Sequence, residues 1–228
     1  MSLLLNIDTA TSYASVCISR NGESLAFAAN QIQREHASFV HVAISDLLKT
    51  AGITITDVDA VAVTSGPGSY TGLRVGMSAA KGFCFALNKP LVCVNTLEVM
   101  AKAAINAFAI DTEDHDFMYC PMIDARRMEV FTAIYNKNLA VILQPCALLL
   151  SQISFNNILP RKSVLCTGDG ANKFKSLNPD KRYVFREVQH SAADLANLAH
   201  SLFEKGQFSD AVYAAPQYYK EFFSTAKG

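Results

Sequence analysis

Hydrophobic and polar positions follow one another in blocks that predict an α/β protein. The first apolar run, Leu3 to Ile7, ends in Asp8, and after a polar turn the run Ala14 to Ser19 predicts a second strand. Asn21-Gly22 is typical of a two-residue hairpin, so Glu23 to Ala29 is predicted to add a third strand. The chain therefore opens as an antiparallel meander of three strands.

Helices and strands alternate through the rest of the first half. A helix is predicted from about Glu35 to Thr50, because apolar side chains recur at 40, 43, 44 and 47, and Gly52 follows where it should end. Strands are predicted at Ala60 to Thr64 and Leu91 to Val94. Between them lies SGPGSYTGLRVGMSAAKG, residues 65–82, a glycine-rich loop that runs into a helix. Another helix is predicted to open at Asn95 or Thr96.

The second half repeats this order after a polar link at residues 111–116. It again begins with a strand that ends in Ile-Asp, a tight turn and a second strand, and it closes with a strand and a helix. The predicted segments are Phe117 to Asp124, Glu129 to Tyr135, a hairpin at Asn136 to Asn138, VLCTGDG at Val164 to Gly170, Tyr183 to Val188 and a helix over Ser191 to Lys205. We therefore predict a duplicated α/β fold with subdomains 1–108 and 109–228. Each has a mixed sheet opened by a three-strand meander and covered by helices, and the terminal helix packs back across the first subdomain.

Composition limits the classes of function. The 228 residues carry 20 basic and 20 acidic side chains and form no long run of either sign, so an autonomous nucleic-acid binder is not expected. The 6 cysteines are scattered without a C-x-x-C pair, which favours a reduced, cytoplasmic protein. Neither a signal peptide nor a membrane span is expected from the sequence.

Two loops have the composition of phosphate sites. Asp8 is followed by Thr9, Ala10 and Thr11, whose backbone N–H groups and hydroxyls suit a phosphate. An Asx turn that simply closes the strand is an equally good interpretation of Asp8. The equivalent loop of the second half reads DARRM, residues 124–128, where bulky side chains replace the glycines that a close phosphate contact needs.

The duplicated opening and these loops resemble the actin-like ATPase fold of sugar kinases and actin, which is related to ribonuclease H. In that fold one loop from each half holds the nucleotide phosphates. The resemblance implies vestigial nucleotide contacts at Asp8, Thr9, Thr11, Arg126, Gly168 and Gly170. Because the second loop is obstructed, we expect no cofactor of the protein's own, with ATP and magnesium bound only weakly or at an interface shared with a partner.

No complete catalytic set is found in the sequence. His36 and His41 lie on the first predicted helix, but their i, i+5 spacing puts them on different faces, whereas two histidines that share a metal on a helix need i, i+4 spacing. No G-x-S-x-G elbow occurs. We therefore predict neither a metal site nor catalytic residues.

The helix after the glycine-rich loop predicts an interaction surface. Its polar side chains, Arg74, Ser78 and Lys81, form one narrow stripe, so the helix is apolar on two faces. One face covers a sheet. For the other, a partner interface is predicted, and a second helix of the same domain is the alternative. The predicted interface residues are Gly72, Gly76, Ala79, Ala80 and Phe83.

Several motifs together resemble the TsaB (YeaZ) family of bacterial tRNA threonylcarbamoyladenosine synthesis. They are LNIDTAT, Arg34-Glu35-His36, SGPGSYTGLRVG, Ile123-Asp124-Ala125-Arg126 and Pro216-Gln217-Tyr218-Tyr219. The resemblance implies a non-catalytic scaffold that binds TsaD and acts with the ATPase TsaE, and that meets tRNA through the complex. TsaD carries an H-x-x-x-H metal motif, which is missing at the matching helix here. A homodimer of the free protein stays open, as do two alternatives: an autonomous actin-fold ATPase or kinase, and a metalloprotease-like enzyme.

Overall fold

Two five-stranded mixed sheets form the framework of the protein. The structure is a computed structural model that describes residues 1–32, 35–108, 117–159 and 162–220. The first sheet has the order β3-β2-β1-β4-β5, with β1 to β3 antiparallel and β4 and β5 parallel to β1. Its strands are β1 Leu3–Asp8, β2 Ala14–Arg20, β3 Glu23–Asn30, β4 Ala60–Thr64 and β5 Leu91–Val94. The predicted opening meander is confirmed.

The second sheet repeats the topology of the first. Its order is β10-β9-β6-β7-β8, so the meander lies at one side and the two parallel strands at the other, as in the first sheet. The strands are β6 Met118–Asp124, β7 Glu129–Tyr135, β8 Val141–Leu149, β9 Val164–Thr167 and β10 Tyr183–Phe185. The predicted duplication is therefore present in the strand order itself.

Five α-helices cover the sheets in the described part of the chain. They are α1 His36–Ala51, α2 Tyr70–Leu87, α3 Thr96–Phe108, α4 Ala171–Leu177 and α5 Ala192–Glu204. α1 and α2 pack on one face of the first sheet, where Val40 and Met77 join Leu5 and Ile7 in the core. α4 contributes Phe174 to the core of the second sheet.

The last helix of each half crosses to the other sheet. Leu195 of α5 packs with Leu4 of the first sheet, whereas Met100 of α3 packs with Ile123 of the second. The crossing of α5 was predicted and that of α3 was not. In the sequence, the strands of the two sheets lie on either side of the predicted boundary at 108/109. In the structure, the terminal helix of each half packs on the sheet of the other half, so the two halves share their cores.

Local signals explain most of the element ends. Gly52 ends α1 with a left-handed φ of 66°, as expected, and the Ser69 side chain caps α2 by accepting from the Gly72 N–H. α4 was not predicted, because a helix of two turns shows too little periodicity. The chain also forms a short 3-10 helix at Ile55–Asp57. Arg34 of the family motif, residue 109 at the boundary and the link 111–116 lie outside the described residues.

No helix among the described residues combines the length and apolar character that a membrane crossing requires.

Candidate functional site

Asp8 is a fully buried structural carboxylate. Its Oδ1 accepts from the Thr64 Oγ1–H at 2.9 Å and from the Ala10 N–H at 3.1 Å. Its Oδ2 lies 3.4 Å from His190 Nε2, a close electrostatic contact without hydrogen-bond geometry. The Asx turn expected as one interpretation of Asp8 is confirmed. The carboxylate faces the interior, and the phosphate contact predicted at Asp8 stays a prediction.

The glycine-rich loop and the start of α2 close over the turn after β1. Thr9 is 1% exposed, and its Oγ1 donates to the Gly72 carbonyl at 2.7 Å. The Ser69 N–H donates to the Ala10 carbonyl at 2.7 Å. A Cβ on Gly68 would collide with that carbonyl, and a Cβ on Gly72 or Gly76 would collide with Thr9. The Thr9 hydroxyl is thus used inside the protein, and the nucleotide contact predicted there stays a prediction.

The other predicted nucleotide contacts stay predictions; Thr11 lies in the first loop, and Arg126, Gly168 and Gly170 lie in or near the second. Thr11 is half-buried, and Arg126 is exposed with a left-handed φ of 68°. Gly168 approaches the Met122 carbonyl so closely that a Cβ there would collide with it, and Gly170 is buried beside Val130.

Asp124 anchors the second loop through a lysine of α4. The Lys173 ammonium lies 2.7 Å from Asp124 Oδ1, and the Arg126 N–H donates to the same oxygen. Burial pushes the pKa of Asp124 upward, but these bonds outweigh it and leave the pKa below its usual range. The carboxylate at the end of the duplicated strand thus stabilises its own loop.

The small residues of α2 pack against the interior of the protein. Gly72, Gly76 and Ala80 are buried, and Gly76 lies against Val63 and Ile7 of the first sheet. Their assignment to a partner interface stays a prediction. Within the chain, the missing side chains of Gly72 and Gly76 let α2 approach the turn after β1.

An open apolar groove runs between α1 and α2, on the side of α2 that faces away from the sheet. It has a volume of about 470 Å³. Ala79 and Phe83, both among the predicted interface residues, line it, and the Phe83 ring centroid lies 5.9 Å from that of His41. The lining residues are Ala37, His41, Val75, Ser78, Ala79, Gly82, Phe83 and Ala86. α2 therefore does carry two apolar faces.

Sequence reasoning missed most of this groove. Val75, Ala79, Gly82 and Ala86 recur at i, i+4, i+7 and i+11, so helical spacing was the available signal. His36 is buried with its Nε2 3.3 Å from the Ser12 carbonyl, whereas His41 lines the groove, so the two histidines point to different surroundings, as expected. The described residues contain no cluster of three His, Cys, Asp or Glu side chains able to hold a metal.

The duplicated strand order, the crossed terminal helices and the strand-end aspartates define an actin-like α/β protein. Residues 27–222 match the sequence profile of the family described as TsaD, tRNA N6-adenosine threonylcarbamoyltransferase, and the chain belongs to this family. Within it the chain is 29% identical over 222 residues to the tRNA threonylcarbamoyladenosine biosynthesis protein TsaB of Escherichia coli (strain K12), covering 94% of this chain and 93% of that protein. The predicted resemblance to TsaB is thereby confirmed.

Two further similarities bear on the fold and on the family. A crystal structure from Pseudomonas aeruginosa, described as an uncharacterized protein with similarity to peptidase YeaZ, superposes with a TM-score of 0.83 at 28% identity and covers 96% of this chain and 100% of its own. A tRNA N6-adenosine threonylcarbamoyltransferase of Clostridium perfringens (strain SM101 / Type A) is 41% identical over 81 residues, 36% of this chain and 23% of that enzyme.

Proposed function

We propose that this protein is a non-catalytic subunit of the machinery that forms threonylcarbamoyladenosine in tRNA. In this proposal it acts in the cytoplasm, binds the threonylcarbamoyltransferase TsaD of the same cell, and supports threonylcarbamoyl transfer together with the ATPase TsaE. tRNA meets the complex chiefly through the other subunits, which agrees with the balanced charge of this chain. The similarity to TsaB over nearly the full length supports a role in threonylcarbamoyladenosine synthesis. The groove supports the role of a binding partner.

The single observation that carries the proposal is the open apolar groove between α1 and α2. Specific interfaces need a desolvated apolar centre with a polar rim, and the groove provides one, with Ser78 and His41 among its lining residues. TsaD belongs to the same family and carries a stretch 41% identical to this chain. We therefore propose that the helices of TsaD equivalent to α1 and α2 pack in the groove, so that two helix pairs meet.

The interior positions of the Asp8 and Thr9 side chains support a non-catalytic role. An actin-fold ATPase or kinase needs the side chains of the first loop for phosphate and metal-bound water. Here the Asp8 and Thr9 side chains instead contact Thr64, Gly72 and His190 of the same chain. We therefore infer that the chain performs no nucleotide chemistry by itself, and that any nucleotide binds weakly or at the shared interface. Neither the ATPase nor the metalloprotease alternative gains a specific observation in its favour.

A reconstituted modification assay tests the proposal. Unmodified tRNA, threonine, bicarbonate, ATP, the enzyme that makes threonylcarbamoyl-adenylate, TsaD and TsaE are combined with and without this chain, and threonylcarbamoyladenosine is measured by mass spectrometry. We expect modification only when the chain is present. Modification at the same rate without it would contradict the proposal, as would tight Mg-ATP binding and turnover by the chain alone.

A further inference from the structure

The C-terminal segment of the described chain, residues 209–220, makes a turn at residues 211–213 and runs along α2 and the glycine-rich loop, and we call it the C-terminal strap. It begins beside the first sheet, where the Ser209 N–H donates to the Leu91 carbonyl of β5 at 2.8 Å. Outside that single bridge it forms no helix or strand. Its position therefore depends on contacts with side chains and loops of the rest of the protein.

The middle of the strap lies along the polar stripe of α2. The Lys81 ammonium donates to the Val212 carbonyl at 3.0 Å and to the Ala214 carbonyl at 2.9 Å. About two turns earlier on α2, the Arg74 guanidinium lies 4.0 Å from the centre of the Tyr70 ring and donates through Nε to the Tyr218 hydroxyl at 3.4 Å. Two of the three stripe residues thus hold the strap.

The glycine-rich loop holds the strap's backbone. The Gln217 N–H donates to the Ser65 carbonyl at 2.7 Å. A Cβ on Gly66 would stand 2.7 Å from the Gln217 carbonyl oxygen, so only glycine leaves room for the strap at this point. The first glycine of SGPGS is therefore explained by a peptide of the same chain.

Polar side chains next to this contact fix the end of the strap. Asn95, at the end of β5, donates to the Tyr219 hydroxyl at 2.8 Å and to Gln217 Oε1 at 3.2 Å. The Lys220 ammonium then pairs with the Glu129 carboxylate at the start of β7. The strap consequently joins α2 and the ends of β4 and β5 to the second sheet.

We propose that the C-terminal strap is a clasp that positions α2, and with it the groove, relative to the second half of the protein. The proposal links two motifs that are more than 100 residues apart, the glycine-rich loop and Pro216-Gln217-Tyr218-Tyr219. It rests on the proposed function of the groove, because positioning matters only if a partner binds there. Loosening the strap is expected to weaken partner binding although no groove residue is changed.

Hydrogen exchange in the full-length chain tests the clasp directly. Gly66→Ala places a Cβ against Gln217, and Asn95→Ala removes two strap bonds, together with the bond from the Leu97 N–H at the start of α3, without a substitution in the glycine-rich loop. Gly52→Ala is the matched control, because Gly52 also has a left-handed φ, of 66°, but nothing lies within 4 Å of a Cβ there. We expect exchange at residues 209–220 and in α2 to quicken by about tenfold or more in both strap variants and to stay unchanged in the control.

TsaD affinity separates the clasp from the proposed function. We expect about threefold to tenfold weaker binding for Asn95→Ala, and abolished binding for Gly82→Glu, which blocks the groove. The clasp is overturned if strap and α2 exchange stay at wild-type rates in both strap variants. It is also overturned if exchange quickens and Gly82→Glu abolishes binding while Asn95→Ala binds normally. If Gly82→Glu binds normally, the proposed function fails, and α2 exchange alone then decides whether the strap positions α2.

Discussion

Asp8 Oδ2 and His190 Nε2 lie 3.4 Å apart in the interior and connect the end of the first strand to the loop that leads into the last helix. Both side chains are almost fully buried, so each is the polar neighbour of the other in the protein interior. The pair joins residues that are far apart in the sequence but belong to opposite halves of the duplication. It lies at the point where α5 crosses onto the first sheet, beside the hydrogen bond from the Ala192 N–H to Ser15 Oγ.

Replacing Asp8 is therefore expected to lower stability without removing function from the folded protein. Asp8→Ala leaves the Thr64 hydroxyl and the Ala10 N–H without their acceptor and removes the carboxylate beside His190, at a cost of about 2–4 kcal/mol of unfolding free energy. Urea unfolding measures the cost, and binding to TsaD is measured on the folded fraction. Thr56→Ala, an exposed hydroxyl on the same half, serves as the control. Unchanged stability, or lost complex activity in a folded and assembled variant, would refute the structural role.

The two glycines on different faces of α2, Gly76 and Gly82, should respond differently to alanine. A Cβ on Gly76 would collide with Thr9 Oγ1 and break its bond to Gly72, so Gly76→Ala should destabilise the protein by about 1–3 kcal/mol. Gly82 is exposed and has nothing within 4 Å, so Gly82→Ala should stabilise it by up to about 1 kcal/mol through helix propensity. Thermal melts of both variants check the contrast. Equal effects would mean that α2 packs with a different face inward.

The buried thiols should resist alkylation in the native state. Burial raises the pKa of Cys17 to about 11, against a smaller opposing effect of its bond with Ser24. Burial likewise raises the pKa of Cys84 to about 11. At about pH 8 the thiolate fraction is then lower than that of an ordinary cysteine by about 100-fold, and iodoacetamide labelling should slow at least as much. Peptide mass spectrometry after native and unfolded labelling measures the ratio. Rapid labelling of either cysteine in the native protein would contradict its burial in a core formed on the first sheet.

The Asp124–Lys173 pair should contribute a small, pH-dependent stability. An aspartate whose pKa is lowered by folding stabilises the fold above its unfolded pKa of about 4, and this contribution disappears as the pH falls through the folded pKa. Lys173→Met should raise the pKa of Asp124, measurable by NMR titration. Because the Asp124 side chain is 41% exposed, the variant should lose at most about 1 kcal/mol at pH 7 and much less near pH 2. An equal loss at both pH values would show that packing, not charge, is responsible.

The positions of the strands could be predicted from the sequence because they depend on residues that are adjacent along the chain. The bounds predicted for β4 and β5 match the structure, since short apolar runs flanked by turn residues leave little choice. The duplication followed from the repeated Ile-Asp strand ends. The family motifs indicated a role in tRNA threonylcarbamoyladenosine synthesis, which neither composition nor periodicity indicates.

The surroundings of individual side chains were less accessible to sequence reasoning. Gly76 looked like an exposed small residue because nothing nearby in the sequence shows that Thr9 covers it. The strap has no periodicity, so its contacts with Gly66 and Asn95 could not be predicted. In each case the deciding contact joins residues that are distant along the chain, which local patterns do not specify.

The most direct test of the account is the affinity of two charged variants of α2 for TsaD. Gly82→Glu places a charge in the groove at a position where a side chain meets no atom of its own chain, so the monomer should stay folded. Phe85→Glu, at a side chain that is 90% exposed and outside the groove, is the matched control. Isothermal titration, with melting curves of each variant, should show binding reduced at least about 100-fold for Gly82→Glu and kept within about threefold for Phe85→Glu. Normal binding by a folded Gly82→Glu variant would contradict the proposal that the groove is the partner site.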